Sequence, residues 1–154
     1  MGLGRITRFA PTPAGARRVG VMRAGRAGVK ALAPPEDLFA DFGRDKTDAK
    51  RAGASAEEAH AAAFHRTRYR DRFRRHILSG ADSRAALRAV VDEAKTRDVY
   101  LMCMCPYRTA GDACHTYLLL ELAREMDPAV AILPEPRPAV PAGPGRRSAR
   151  QRRA

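Results

Sequence analysis

All three cysteines of this chain lie in one short stretch that also contains a histidine. The stretch "CMCPYRTAGDACH" runs from Cys103 to His115, with Cys105 and Cys114 between them. A thiol beside an imidazole can act as a nucleophile with its proton acceptor, as half of a redox pair, or as a ligand for zinc. This part of the sequence is therefore the first candidate for a functional site.

The elements expected around this stretch favour Cys114 as the reactive thiol. The apolar run "DVYLMC" predicts a strand covered on both faces, so Cys103 is expected to be buried. A helix is expected from about Asp112 to Met126, with Cys114 and His115 in its first turn, where the helix dipole favours a thiolate. We therefore expect Cys114 to be the most reactive thiol and Cys103 the least reactive.

The leading hypothesis is an enzyme-like pocket at the carboxyl end of this strand, where open α/β sheets bind their ligands. Cys114 would be the nucleophile and His115 its proton partner, with Cys103 as a third catalytic candidate. The candidates for holding an anionic substrate are Arg68, Tyr69, Arg108 and Arg23.

No cofactor is predicted, but two other uses of the thiols stay open. Cys105 and Cys114 could form a redox pair, although they lack the Cys-x-x-Cys spacing of common oxidoreductases. Zinc is the other alternative, because Cys-x-Cys followed by Cys-His offers four soft ligands. The spacing disfavours zinc, since adjacent Cys114 and His115 are expected to diverge on a helix.

Strand and helix signals alternate between residues 17 and 134, which predicts an α/β fold. The expected architecture is a single layered domain with a short, mainly parallel sheet flanked by helices. The expected elements are strands at 19–22, 99–104 and 129–133, helices in "APPEDLFADF", over 56–78, from Asp82 or Ser83, and over 112–126, and a loop at 43–55. The helix over 56–78 is expected to bury a stripe formed by His65, Tyr69, Phe73 and Ile77. The next helix, with Asp82 or Ser83 as its N-cap, is expected to bury Leu87, Val90, Val91 and Ala94.

The two ends of the chain differ from this middle part. Residues 1–16 are punctuated by glycine and proline and are expected to be a loose arm. Residues 135–154 are expected to form a disordered tail, because they contain Pro, Gly and Arg but almost no apolar side chains.

Charge suggests which partners to consider. The chain has 29 Lys+Arg against 17 Asp+Glu, a net charge of +12. Such an excess suits an anionic small molecule or a nucleic acid, so the rival hypothesis is a non-catalytic nucleic-acid binder that uses the arginines of 65–76 and the tail. No stretch approaches the ~20 apolar residues of a membrane span, and a cytoplasmic protein with reduced thiols is expected.

Four segments occur in an order that resembles the DUF488 family, a family of small α/β domains of unknown function. They are "RVGVMRAGRAGVK", "LAPPEDLFADF", "FHRTRYRDRF" and "VYLMCMCPYRTAGDACHTYLLLELA". The resemblance covers about residues 17–133. It implies the α/β fold but no settled reaction. A degenerate, structural member of the family is a third possibility, which the loss of the motif arginine at Thr116 favours.

The resemblance also implies which positions correspond to the family's motif residues. Cys103 matches its strand cysteine, and Cys114 with His115 matches its Cys-His pair. The Arg-Tyr pair is matched by Arg68 and Tyr69, and the basic loop after the first strand by Arg26 and Lys30. The sequence departs from the family pattern at Thr116, where the family has arginine, and at Cys105, where an acidic residue is common.

Overall fold

The computed structural model describes residues 1–26, 28–105 and 113–138. Three parallel strands form one sheet in the order β1-β3-β2, and helices pack around it. The elements are β1 (Leu3–Thr7), β2 (Arg17–Gly20), a 3-10 turn (Lys30–Leu32), α1 (Glu36–Arg51), α2 (Ala56–Arg66), α3 (Tyr69–Ser79), α4 (Ala81–Ala94), β3 (Val99–Cys103) and α5 (His115–Met126). The predicted α/β class with a short parallel sheet is confirmed.

The central strand β3 fixes which chain segments meet at the functional end of the sheet. It pairs in parallel with both neighbours, so that Thr7 lies opposite Cys103 and Gly20 opposite Met102. Parallel strands end on the same side of a sheet, and the segments that follow them therefore converge beside Cys103.

The main core lies between the sheet and the helices α3, α4 and α5. Its fully buried side chains include Phe73, Ile77, Leu87, Leu101 and Leu118. Burying a side chain of this size contributes about 1.5–3 kcal/mol relative to leaving it exposed. In α4, the predicted buried face of Leu87, Val90, Val91 and Ala94 is confirmed, but Gly80 is the N-cap instead of Asp82 or Ser83.

The expectation of a loose arm over residues 1–16 is wrong, because this segment contains the buried strand β1. Leu3 packs into the main core, and Ile6 packs beside Tyr100 on the opposite face of the sheet. Gly4 allows this pairing, since a Cβ at that position would lie 2.6 Å from a ring carbon of Tyr100. Five residues that include a glycine and an arginine give almost no strand signal in the sequence.

The strand predicted at 129–133 is reduced to a single bridge. Leu3 forms an isolated parallel bridge with Ile132, through hydrogen bonds of 2.9 Å to Ala131 O and from Leu133 N. Pro134 follows directly and has no N–H to extend the pairing. The segment therefore touches the edge of β1, and α5 crosses from β3 to this edge.

The boundaries of α1, α2 and α3 also differ from the predictions. The helix α1 continues to Arg51, through most of the predicted loop at 43–55, and its polar residues lie at the surface. The predicted helix over 56–78 is divided into α2 and α3 at Arg68, which has a left-handed backbone with φ of 53°. Thr67 donates its hydroxyl to Ala63 O at 2.7 Å just before this break.

The predicted tail and the membrane expectation can be addressed only in the described residues. Residues 139–154 lie outside them, whereas Glu135, placed in the tail by prediction, pairs with Arg5 and accepts a hydrogen bond from Tyr117. Of the helices that the structure describes, none combines the length and the apolar composition needed to cross a bilayer.

Candidate functional site

The end of β3 and the start of α5 bring the three thiols together. Cys103 ends β3, Cys105 follows two residues later, and Cys114 is the N-cap of α5. The Sγ atoms of Cys103 and Cys114 are 3.5 Å apart, and the three sulfur atoms all lie within 4.8 Å of one another. Cys103 and Cys114 are buried, and Cys105 is half-buried.

His115 completes the cluster because the Nδ1 edge of its ring lies towards two of the sulfur atoms. Its Nδ1 lies 3.9 Å from the Sγ of both Cys103 and Cys114. Its Nε2 lies 2.8 Å from the carbonyl oxygen of Val21, just after β2. A carbonyl can only accept, so Nε2 carries a proton and Nδ1 is the ring nitrogen that lies towards the thiols.

This convergence overturns the expectation that Cys114 and His115 diverge on a helix. Cys114 is not in the first turn, since its backbone is extended, with φ of −148° and ψ of 142°. The side chain of an N-cap can turn back over the helix start, which a residue inside the helix cannot do. The chain therefore presents two consecutive residues to the same point.

Hydrogen-bond donors surround the two buried sulfur atoms. The backbone N–H of Cys105 donates to Cys103 Sγ at 3.4 Å, and Thr116 Oγ1 lies 3.2 Å from Cys114 Sγ. Arg5 Nε donates to the same Thr116 Oγ1 at 2.9 Å, which leaves the hydroxyl hydrogen of Thr116 free for the sulfur. This arrangement suits sulfur atoms that carry negative charge.

Arg5 also fixes the loop end that carries Cys105. Its guanidinium is 1% exposed, pairs with Glu135, donates to the carbonyl oxygen of Cys105 at 3.4 Å, and lies 4.7 Å from the ring centre of Tyr117. The sequence-based search missed this residue, because it lies in the segment expected to be a loose arm. It supplies a buried cation beside Thr116, the position where the resemblance expects arginine.

The three thiols differ in acidity. The pKa of Cys103 is raised to about 12: the hydrogen bond with Cys105 acts in the opposite direction, but the hydrogen bond to Cys114 and burial prevail. The pKa of Cys105 is also raised, because it donates to Cys103 and Cys114 and is partly buried. Both residues therefore keep their protons.

Cys114 is the acidic member of the cluster. Hydrogen bonds from Cys103 and Cys105 hold its pKa well below the usual value, with a further contribution from His115, and they outweigh the effect of burial. Burial opposes the charged form of His115, but the hydrogen bond and charge of Cys114 raise its pKa. This order is consistent with the expected reactivity of Cys114, which stays a prediction.

A cleft with a volume of about 370 Å³ opens above the cluster, between α1 and the carboxyl ends of β2 and β3. Cys103, Cys105 and His115 form part of its floor. Cys114 lies behind them and lines a separate small cavity. An incoming molecule would therefore meet Cys105 before it met Cys114.

The walls of the cleft are mostly apolar, with two cations at the side. The helix α1 contributes Phe39, Phe42 and Lys46, and the segment after β2 contributes Met22 and Arg23. The ammonium of Lys46 lies 5.4 Å from the ring centre of Phe42. Arg23 donates to Pro34 O at 3.2 Å and lies 3.3 Å from the exposed carboxylate of Glu36.

The candidate anion-holding residues do not all belong to this cleft. Tyr69 and Arg23 line it, and their role in holding an anion stays a prediction. Arg68 is 76% exposed, does not line the cleft, and lies 3.7 Å from the carboxylate of Asp71, because the left-handed residue between α2 and α3 points to solvent. Arg108 lies outside the described residues.

Tyr69 is a wall of the site and not a free acid. Its ring stacks on Phe64 with centres 4.8 Å apart and packs edge-on against Phe42. Burial, followed by the nearby charge of Cys114, raises the pKa of its hydroxyl well above the usual value. The group therefore stays protonated, and its role is to shape the cleft.

The predicted buried stripe of the helix over 56–78 is correct for Tyr69, Phe73 and Ile77 but not for its histidine. His65, placed on the buried stripe by the i, i+4 spacing, is exposed because the chain breaks at Arg68. His60 is buried instead and contacts Ala113 O through Nε2 at 2.5 Å. His60 therefore anchors the chain immediately before Cys114, a function that its neighbours in the sequence do not reveal.

Arginines of α3, considered above as a nucleic-acid surface, are engaged within the fold. Arg70 binds Glu121, and Arg74 binds Glu125 on α5. On its other side, Arg72 joins α3 to two carboxylates of α1. These side chains hold helices together, so their number overstates the charge that this surface offers to a partner.

Comparisons of the chain with models of protein families, with curated proteins and with solved structures find no match. The resemblance to the DUF488 family stays a prediction that rests on the order of the four sequence segments.

Proposed function

We propose that this protein is a small enzyme that binds an anionic small molecule in the cleft and acts on it at the thiol and imidazole cluster. The observation that carries the proposal is that one cleft combines Cys103, Cys105 and His115 on its floor with the cations Arg23 and Lys46 at its side. A concave apolar site with a few convergent polar groups is the usual form of a small-molecule site.

The cleft also suggests the form of the substrate. Phe39, Phe42 and Met22 provide an apolar surface, and Arg23 and Lys46 lie where a carboxylate or phosphate could pair with them. A molecule with an apolar body and one anionic group would use both features. Its reacting atom would then lie over the floor, beside Cys105.

We also propose that the chain is related to the DUF488 family, and the arrangement of the same site supports this. The residues that match the family's motif, Cys103, Cys114 and His115, lie together although ten residues separate the first two. Such convergence supports a shared site. At Thr116, the guanidinium of Arg5 takes the place expected for the motif arginine, which supports a compensated departure from the pattern.

Alkylation of the thiols can test whether the cleft selects anions. Iodoacetate and iodoacetamide have similar size, but only iodoacetate is charged. In reduced, chelator-treated protein, we expect the ratio of the iodoacetate rate to the iodoacetamide rate at Cys105 to exceed the ratio for the urea-unfolded chain. Mass spectrometry of the labelled peptides gives both rates.

Removal of the cleft cations should abolish this preference. Arg23→Met and Lys46→Met should each lower the ratio roughly fivefold, since a charge at about 4 Å contributes about 1 kcal/mol even in water. Arg51→Met, at the exposed end of α1, is the matched control and should leave the ratio unchanged. An equal ratio in folded and unfolded protein would refute the proposal.

A further inference from the structure

We infer that the three cysteines, with His115 as the fourth ligand, form a binding site for a zinc ion. The inference rests on the proposed function in one respect, because it names the form in which the cluster would work on the cleft floor. It is otherwise independent of any substrate.

The spacing of the ligand atoms fits tetrahedral coordination. Zinc bonds of about 2.3 Å to sulfur and about 2.0–2.1 Å to nitrogen place neighbouring sulfurs roughly 3.8 Å apart, and sulfur and nitrogen roughly 3.6 Å apart. The Sγ atoms of Cys103 and Cys114 are 3.5 Å apart, and His115 Nδ1 is 3.9 Å from each. Cys105 Sγ lies within 4.8 Å of both other sulfurs, so it would have to approach them by at most about 1 Å to reach the spacing of zinc ligands.

The hydrogen bonds around the four ligand residues are those expected at a metal centre. His115 donates Nε2–H to the carbonyl oxygen of Val21, which leaves Nδ1 free to coordinate. A metal-binding histidine commonly gives its other N–H to such an acceptor. The donors on Cys103 and Cys114, the Cys105 N–H and the Thr116 hydroxyl, would stabilise the thiolates that zinc requires.

The chemistry of the ligand set selects zinc among common metals. Three thiolates and one imidazole are soft ligands in a tetrahedral arrangement, which zinc prefers and which hard cations such as magnesium and calcium do not. A bound cation would also offset the desolvation cost of the thiolates that coordinate it.

The burial of the ligands suggests which one exchanges. Cys103, Cys114 and His115 are buried, whereas Cys105 is half-buried and lines the cleft. Catalytic zinc sites keep three protein ligands and leave the fourth position to water or substrate. Cys105 is therefore the ligand that a molecule in the cleft would displace.

Metal content tests the site without any substrate. The full chain is purified under reducing conditions without a metal-affinity column. Inductively coupled plasma mass spectrometry is expected to find one zinc ion per chain. After removal of zinc, titration with Co²⁺ should give one equivalent of binding, with sulfur-to-cobalt charge-transfer bands and the intense visible bands of a tetrahedral site. A reduced protein that binds neither Zn²⁺ nor Co²⁺ would overturn the inference.

Variants of the ligands test the asymmetry between them. Cys103→Ser and Cys114→Ser should lose at least tenfold in zinc affinity, and Cys105→Ser should lose less while its bound zinc exchanges faster. His115→Gln should shift the visible cobalt bands, whereas the exposed His65→Gln, as the matched control, should not. Circular dichroism separates a misfolded variant from a lost ligand, and the titration of the unaltered chain does not depend on any variant.

The outcomes distinguish the metal site from the proposed function. Zinc bound with equal losses for all three cysteine variants would overturn Cys105 as the exchanging ligand. Unchanged cobalt bands in His115→Gln would overturn the fourth ligand. Zinc binding together with no preference for iodoacetate would refute the anionic substrate and leave the metal site standing, and the reverse result would refute the metal site alone.

Discussion

Arginines occupy two contrasting environments in this protein. Arg5 is 1% exposed beside the thiol cluster and contacts groups 111 and 130 residues away in the sequence. Arg70 and Arg72 lie on the surface of α3, partly exposed, and pair with carboxylates on neighbouring helices. A buried charge loses its hydration and needs protein groups to replace it, so removing one partner is costly. The groups of a surface ion pair stay hydrated when the pair is broken, so the pair contributes little to stability. The number of arginines is thus a poor guide to where charge matters.

The largest effect is expected at Arg5. Arg5→Met should lower the free energy of unfolding by about 3–5 kcal/mol, because it leaves Glu135, Thr116 and the carbonyl oxygen of Cys105 without their buried partner. Urea unfolding measures the loss. Arg5→Lys keeps the charge but loses the planar guanidinium, so its free energy of unfolding should lie between those of the unaltered chain and Arg5→Met. A loss below about 1 kcal/mol would show that the buried and the surface arginines do not differ.

A smaller and pH-dependent effect is expected at Arg72. This guanidinium, followed by that of Arg44, lowers the pKa of Asp41, and it also contributes to the lowered pKa of Asp37 after the backbone N–H of Leu38. Stability from a lowered carboxyl pKa is present above the ordinary value near 4 and is lost as the pH falls through the folded value. Arg72→Met should therefore destabilise the protein at pH 7 and have almost no effect near pH 2.

Thermal unfolding of Arg72→Met and of the unaltered chain across this pH range measures the difference. Arg51→Met is the control, since Arg51 is exposed and pairs at 3.8 Å with Asp48 of its own helix. A difference that persists unchanged at low pH would show that Arg72 acts through packing and not through its carboxylate partners.

The smallest effect is expected at the pair between Arg70 and Glu121. A double-mutant cycle with Arg70→Met and Glu121→Gln should give a coupling of about 0.2–1 kcal/mol, because both side chains are partly exposed and solvent screens their attraction. Urea unfolding at low and at 1 M salt measures it, and the coupling should shrink with salt. A coupling as large as the loss at Arg5 would remove the contrast between the two environments.

Local sequence was sufficient for the elements with a strong internal pattern. The apolar run from Val99 to Cys103 predicted the central strand, and the spacing of Leu87, Val90 and Val91 predicted the buried face of α4. Local sequence also assigned Cys103 and His115 to one candidate site, because they are only twelve residues apart in the chain. These features depend on side-chain periodicity, which the sequence displays directly.

The contacts that complete the site could not be predicted in the same way. Arg5, Val21 and Lys46 reach the cluster or its cleft from three distant segments, and no local pattern links any of them to the thiols. The sequence also did not predict the break at Arg68, since the apolar spacing continues from α2 into α3.

The sequence by itself determined the α/β class and the presence of a compact set of thiol and imidazole groups. Only the tertiary structure decided that Cys114 turns back from the helix start, that His115 presents Nδ1 to the sulfur atoms, and that a buried arginine supports them. The physical reason is that helix and strand periodicity is local, whereas the pairing of parallel strands and the satisfaction of buried polar groups depend on residues far apart in the chain.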